Sequence, residues 1–133
     1  MILIDTNVLI GPPIPTAVVE QGYAASILSR AELEFGIALA SAQESESRRS
    51  RLAYWDDLFD WLPFTVATTR AYGVLAKVMH AGAPAQARRT DTFIAAHALE
   101  WGIPLLTANP HDFERISDLV EIRAYPEAGA GKH

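Results

Sequence analysis

The chain has 133 residues, half of them hydrophobic, with a net charge of -5 and no cysteine. That is the size of one domain with one substantial core, and it is too apolar for a disordered segment. Disulfides and thiolate metal sites are excluded, and the acidic balance argues against coating nucleic acid through bulk positive charge.

A nuclease stays open, because divalent cations reverse the sign of an acidic cleft. Basic residues cluster at Arg48, Arg49 and Arg51 and again at Arg88 and Arg89. Solvated helix surface explains such clusters as readily as a nucleic-acid contact does. The apolar runs are too short to span a bilayer, and the first residues lack the basic-then-apolar order of a secretion signal. A cytoplasmic protein without membrane contact is expected.

In chain order, Met1 to Ile4 predicts a short buried strand, stopped by Asp5, Thr6 and Asn7. "GPPIP", Gly11 to Pro15, forbids a regular helix. Tyr23 to Leu28 reads as a second strand. Ser29 is expected to open a helix to about Ala42, with Leu33, Gly36, Ile37 and Ala40 on one face. The polar "SAQESESRRS" reads as a helix end or an inter-helix loop. Arg51 to Trp61 carries Leu52, Trp55, Leu58, Phe59 and Leu62 at helical spacing, with Asp56, Asp57 and Asp60 toward solvent.

Pro63 to Ala67 is a third strand candidate. Thr68 or Thr69 is expected to cap a helix to about His80, and "GAPAQARR" is a loop. Thr90 is expected to cap a helix from Asp91 to Trp101 that Gly102 closes. Pro104 to Thr107 is a fourth strand, "NPHDFERI" a turn and short helix, and Leu119 to Arg123 a last strand. Residues 1–126 form one domain in this reading, and 127–133, "EAGAGKH", a disordered tail. The Gly-Lys of that tail lacks the spacing and hydroxyl of a phosphate loop.

Strands alternating with helices predict an α/β fold, a three-layer α/β/α sandwich around a mainly parallel sheet. Ligands in such folds gather at the carboxyl ends of the strands. Four acids belong to that edge: Asp5 after the first strand, Glu32 after the second, Asp91 opening a helix, and Asp112 after the fourth. Singly, each has a structural role. Asp5 suits a turn, Ser29 and Glu32 have capping-box spacing, Asp91 complements a helix dipole, and Asp112 suits a cap. Together they repel, so one protonates or they share a cation. Mg²⁺ or Mn²⁺ is the natural partner for oxygen donors, and no His or Cys cluster offers a zinc site. Thr6 and Asn7 then orient Asp5 or hydrogen-bond a water or phosphate. His97 lies about 240° around its helix from Asp91 and reads as structural or surface. His80 and His111 have no evident partner, and no Ser-His-Asp set is readable.

"LIDTNVLI", "SRAELEFGIA", "TDTFIAAHALEWGIPLLTAN" and "DFERI" occur in that order and cover most of the chain. In this they resemble the PIN-domain family, specifically the VapC-type ribonuclease toxins of type II toxin–antitoxin modules. The resemblance implies a PIN-like fold and aligns Asp5, Glu32 and Asp91 with the family's catalytic acids, with Asp5 and Asp91 holding the metal. Glu32 is chosen over Glu34 because it precedes Leu in "AELEFG", and Glu34 would point about 200° away. The fourth catalytic position falls to Asp112, while Asn109 stands where many relatives have an acid. The span from Asp5 to Glu32 is shorter than relatives usually have.

What the resemblance further implies is a Mg²⁺-dependent endoribonuclease that cuts single-stranded RNA by metal-activated water. Arg88 or Arg89 would contact the RNA backbone, with Thr6, Asn7 and Asn109 nearby. The implied partners are a cognate antitoxin whose tail blocks the site and a second toxin copy, in a homodimer or a toxin–antitoxin hetero-oligomer. Charge complementarity predicts that this tail is basic. Trp55, Phe59 and Trp61 read as core, or as part of a face for the antitoxin. One rival reading is a catalytically inactive PIN-like module that binds RNA or a partner. Another is a phosphoacceptor receiver domain. That needs a Lys near the last strand, and Lys77 and Lys132 lie elsewhere.

Overall fold

The computed structural model describes residues 1–14, 20–81 and 88–126. The elements run β1 (Ile2–Ile4), α1 (Thr6–Leu9), β2 (Tyr23–Ala24), α2 (Ile27–Leu39), α3 (Ala42–Leu58), α4 (Val66–Met79), α5 (Arg89–Trp101), β3 (Leu105–Thr107), a 3₁₀ helix (Pro110–Ile116) and β4 (Ile122–Ala124). The sheet has the order β2-β1-β3-β4, and each described strand pair is parallel. Leu3 pairs with Ala24 on one side and Leu105 on the other, and Leu106 pairs with Ile4 and Arg123.

Strand alternation sends neighbouring side chains to opposite faces and builds two cores. Ile2, Ile4 and Leu106 face Val8 and Leu9 of α1, Leu33 and Ile37 of α2, and Leu52 and Trp55 of α3. Leu3 and Leu105 face Leu75 and Met79 of α4, Ile94 and Ala98 of α5, and Phe113 and Ile116 of the 3₁₀ helix. The fold is therefore a three-layer α/β/α sandwich. After β1 the chain enters the first layer, and after β3 it enters the second. The crevice between the carboxyl ends of β1 and β3 is thus a topological switch point, where such folds place ligands.

Several local expectations are corrected. The second strand ends at Ala24. Ser26, not Ser29, caps α2, its hydroxyl accepting from Leu28 N at 3.0 Å. "SAQESESRRS" is helical, because Ser41 caps α3 and Arg48 pairs with Glu44 one turn back at 3.1 Å and donates to Gly36 O at 2.7 Å. Charge pairs sustain this polar turn without an apolar stripe.

Pro63 to Ala67 forms no strand. Leu62 alone bridges Ser26, and Thr65 caps α4 in a reciprocal box with Thr68. Asp56 does not simply face water: it pairs with Arg30 at 2.9 Å and accepts from Trp61 Nε1 at 2.7 Å. Thr90 does not cap α5. Arg88 precedes that helix at a left-handed φ of 55° with no side-chain cap. Gly102 closes α5 at φ 64°, as its sequence position predicts. The last strand is shorter and later than Leu119 to Arg123. The tail 127–133, most of the "GAPAQARR" loop and Pro15 lie outside the described residues.

Candidate functional site

Asp5 terminates β1 and caps α1. Its Oδ1 accepts from Thr6 N at 2.8 Å, so the turn role is real. Its Oδ2 accepts from Thr107 Oγ1, also at 2.8 Å, at the end of β3. The carboxyl is almost fully buried, at 4 % exposure. Burial is the main force that pushes its pKa up to about 6; the Thr107 hydrogen bond opposes this, and the charges of Asp91 and Glu32 add to it.

The neighbouring residues hold the rest of the crevice. Thr6 Oγ1 donates to Glu32 Oε1 at 2.6 Å and stands 2.9 Å from Ser29 Oγ. Glu32 lies in the second turn of α2, exposed above Thr6. Ser29 is buried in this contact, so its capping-box spacing with Glu32 is coincidental. Asn7 clamps the β3 end: Ala108 N donates to its Oδ1 at 3.0 Å, and its Nδ2 donates to Thr107 Oγ1 at 3.3 Å.

Asp91 sits in the first turn of α5 and is half-buried. Burial, then Asp112, then Glu32 raise its pKa, and Arg88 counteracts them. Asp112 is tied to Arg88, whose Nη1 lies 2.5 Å from its Oδ1. Asp5, Glu32, Asp91 and Asp112 thus share one electrostatic neighbourhood. Asn109 is exposed and meets it through the backbone, its N–H donating to Thr107 Oγ1 at 3.1 Å. Arg89 is exposed at the start of α5. His97 is fully buried with Phe64 against its ring, away from this edge.

Sequence reasoning missed Thr107 and Ser29. Thr107 could have been found as the one hydroxyl ending the apolar "PLL" strand, beside the strand that carries Asp5.

Among the described residues, no group of three or more His, Cys, Asp or Glu side chains is arranged to hold a metal ion directly. A hydrated Mg²⁺ asks less: one or two carboxylates, with waters filling the remaining positions. The donor set here is all oxygen, and Asp5 and Asp91 each raise their pKa in part through neighbouring negative charge. A cation relieves that repulsion, so the residues fit one.

The relatives agree with this architecture. No curated protein matches the chain. Among solved structures, a chain of VapBC2 from Rickettsia felis, bound to a DNA fragment from its promoter, is 24 % identical. The match covers 93 % of this chain and 98 % of that one, with a TM-score of 0.74. VapBC-1 from nontypeable Haemophilus influenzae gives 24 % identity over 96 % of this chain and 100 % of that one, with a TM-score of 0.75. FitAcB from Neisseria gonorrhoeae gives 24 % identity, 92 % and 96 % coverage, and a TM-score of 0.71. These likenesses are of fold. The PIN domain family matches residues 2–119. The chain therefore belongs to the PIN domain family.

Proposed function

We propose that this chain is the toxin of a toxin–antitoxin pair and a Mg²⁺-dependent endoribonuclease that cuts single-stranded RNA. The observation that carries the reading is the buried Asp5 facing Asp91 and Glu32 at the β1–β3 switch point. A site built to bind carboxylates to protein alone would pair Asp5 with a basic side chain. Instead its described partners are Thr107, Thr6 N and two further acids.

Asp5 and Asp91 would hold the ion, with Glu32 and Asp112 completing the site directly or through water. The bound ion supplies positive charge at the scissile phosphate and acidifies a water nucleophile. The chain's own residues do the positioning. Thr107 and Thr6 N keep the Asp5 carboxylate oriented, and the Thr6 hydroxyl steers Glu32 toward the same crevice. Arg88 offsets the acids from the Asp112 side and places a guanidinium where an RNA backbone would approach. Arg89 beside it is exposed for the same role.

Similarity to chains from VapBC and FitAB complexes supports an antitoxin partner and assembly into hetero-oligomers. Exposed apolar residues on α2, Phe35 at 65 % and Leu39 at 69 %, also suit a protein partner. Among the described residues, no helix is long and apolar enough to cross a membrane.

The test is cleavage of a mixed single-stranded RNA with Mg²⁺, with chelator, and with Asp5→Asn or Asp91→Asn. Loss of cutting in every arm but the first is expected. Cutting that persists in chelator or in either variant rules the assignment out.

A further inference from the structure

A groove of about 560 Å³ leaves the carboxylate site between α2 and α3, with Thr6 and Glu32 at its inner end and Arg48 and Arg51 in its outer wall. Arg51 also lines a second, 240 Å³ hollow, whose walls include Pro13, Tyr23, Tyr54 and Trp55. Arg51 is thus the shared wall between the two. The two hollows adjoin at Arg51, the first reaching Glu32 and the second an aromatic shelf.

The charges along this path are not evenly spent. Arg48 is occupied by Glu44 and by Gly36 O. Glu32 is held by Thr6. Arg51 uses one nitrogen on Ile10 O, at 2.5 Å, and among the described residues it makes no ion pair with an acid. That contact anchors its guanidinium at the groove and leaves the fork a net cation. One helical turn on, Tyr54 is 57 % exposed, its ring held edge-to-face on buried Trp55 at a 5.0 Å centroid distance. A fixed cation followed by a braced, exposed aromatic ring is the pairing that binds single strands: guanidinium to phosphate and ring to base.

We infer that this path carries single-stranded RNA away from the acids, with Arg51 on a backbone phosphate and Tyr54 stacked on a base. The inference rests on the ribonuclease reading above. An acidic chain with an acidic centre needs such a local cation to retain an anionic polymer. A polypeptide carboxylate would also pair with Arg51, but the exposed Tyr54 ring beside it favours a base, which every nucleotide of a single strand supplies.

The experiment is fluorescence anisotropy of a fluorescein-labelled 12-nucleotide single-stranded RNA, with Asp5→Asn protein as the parent. Adding Arg51→Gln or Tyr54→Ala is expected to weaken binding about tenfold each, the order of one lost phosphate or stacking contact. Tyr54→Phe keeps the ring and is expected to stay within about twofold. Arg49→Gln removes the same charge from α3 outside the groove and is expected to do likewise. Circular dichroism melts accompany each variant, and Tyr54→Ala, read against Tyr54→Phe, remains informative if Arg51→Gln loosens the Ile10 contact.

Unchanged affinity in both Arg51→Gln and Tyr54→Ala overturns the inference and leaves the groove to a polypeptide. Equal losses in Arg49→Gln and Arg51→Gln overturn it in favour of bulk charge. A parent that binds no RNA overturns it outright. Failure of the ribonuclease reading shows separately, as wild-type protein that cuts no RNA with Mg²⁺ while the binding ratios remain readable.

Discussion

Thr107 Oγ1 donates a 2.8 Å hydrogen bond to Asp5 Oδ2 across 102 residues of sequence, joining the ends of β3 and β1. The same hydroxyl accepts from Asn109 N and Asn7 Nδ2. It therefore orients the buried acid and ties down the loop that follows β3. Thr107→Val keeps the shape and removes the hydroxyl. Metal-dependent cleavage is expected to fall about tenfold or more, the scale of one lost orienting hydrogen bond, with Thr107→Ser restoring most of it. Equal activity in Val and Ser variants would show that the hydroxyl does not position Asp5.

Ionised Asp5 carries an unfavourable burial in the metal-free protein. Its folded pKa of about 6 lies above the ordinary aspartate value of 3.8. The sign follows: the protonated form is favoured by folding, so this group costs stability as pH rises from about 4 to about 6. The cost above that range is up to about 3 kcal/mol. Metal-free Asp5→Asn is therefore expected to melt at or above the wild-type temperature at pH 7.5. A lower melting temperature there would contradict an ionised, uncompensated Asp5.

His97 titrates with the opposite sense. It is fully buried, neither ring nitrogen has a hydrogen-bond partner among the described residues, and burial lowers its pKa despite Glu100 nearby. The neutral ring is favoured by folding, so its contribution is whole above about pH 6.5 and is lost as pH falls below that. His97→Leu is expected to flatten the loss of melting temperature between pH 6.5 and pH 5. Parallel melting curves for variant and wild type would refute this.

Arg88 adopts a left-handed conformation that a side chain bearing Cβ disfavours, and its ion pair with Asp112 helps hold it there. Arg88→Gly relieves the backbone while losing the pair, and is expected to change stability by less than about 1 kcal/mol. Arg88→Val loses the pair and keeps the strain, and is expected to cost about 1–2 kcal/mol more than the Gly variant. Urea unfolding of the two variants side by side checks the difference.

Leu75 of α4 is fully buried, at 0 % accessibility, in the core that α4 shares with the sheet. Leu75→Ala is expected to cost about 2–5 kcal/mol, read from denaturant midpoints.

What the sequence by itself determined is local or periodic. The apolar β1 broken at Asp5, the Gly102 stop of α5 and the alternation of strand and helix were legible because they depend on near neighbours and on burial patterns. So was the gathering of Asp5, Glu32, Asp91 and Asp112 at one edge, since a parallel sheet dictates where strand ends lie.

Tertiary structure decided what depends on distant partners. Pro63 to Ala67 looked extended, yet only Leu62 found a strand to bridge. "SAQESESRRS" looked like a helix end or a loop between helices, yet the Arg48 contacts to Glu44 and to Gly36 of the neighbouring helix let it form the first turns of α3. Ser29 looked like a cap until Ser26 took that place and left Ser29 to Thr6. Thr107 was one more residue at a strand end until β3 docked beside β1. Its bond to Asp5 closes a contact of 102 residues, and only packing, which no local propensity encodes, brings such groups within reach.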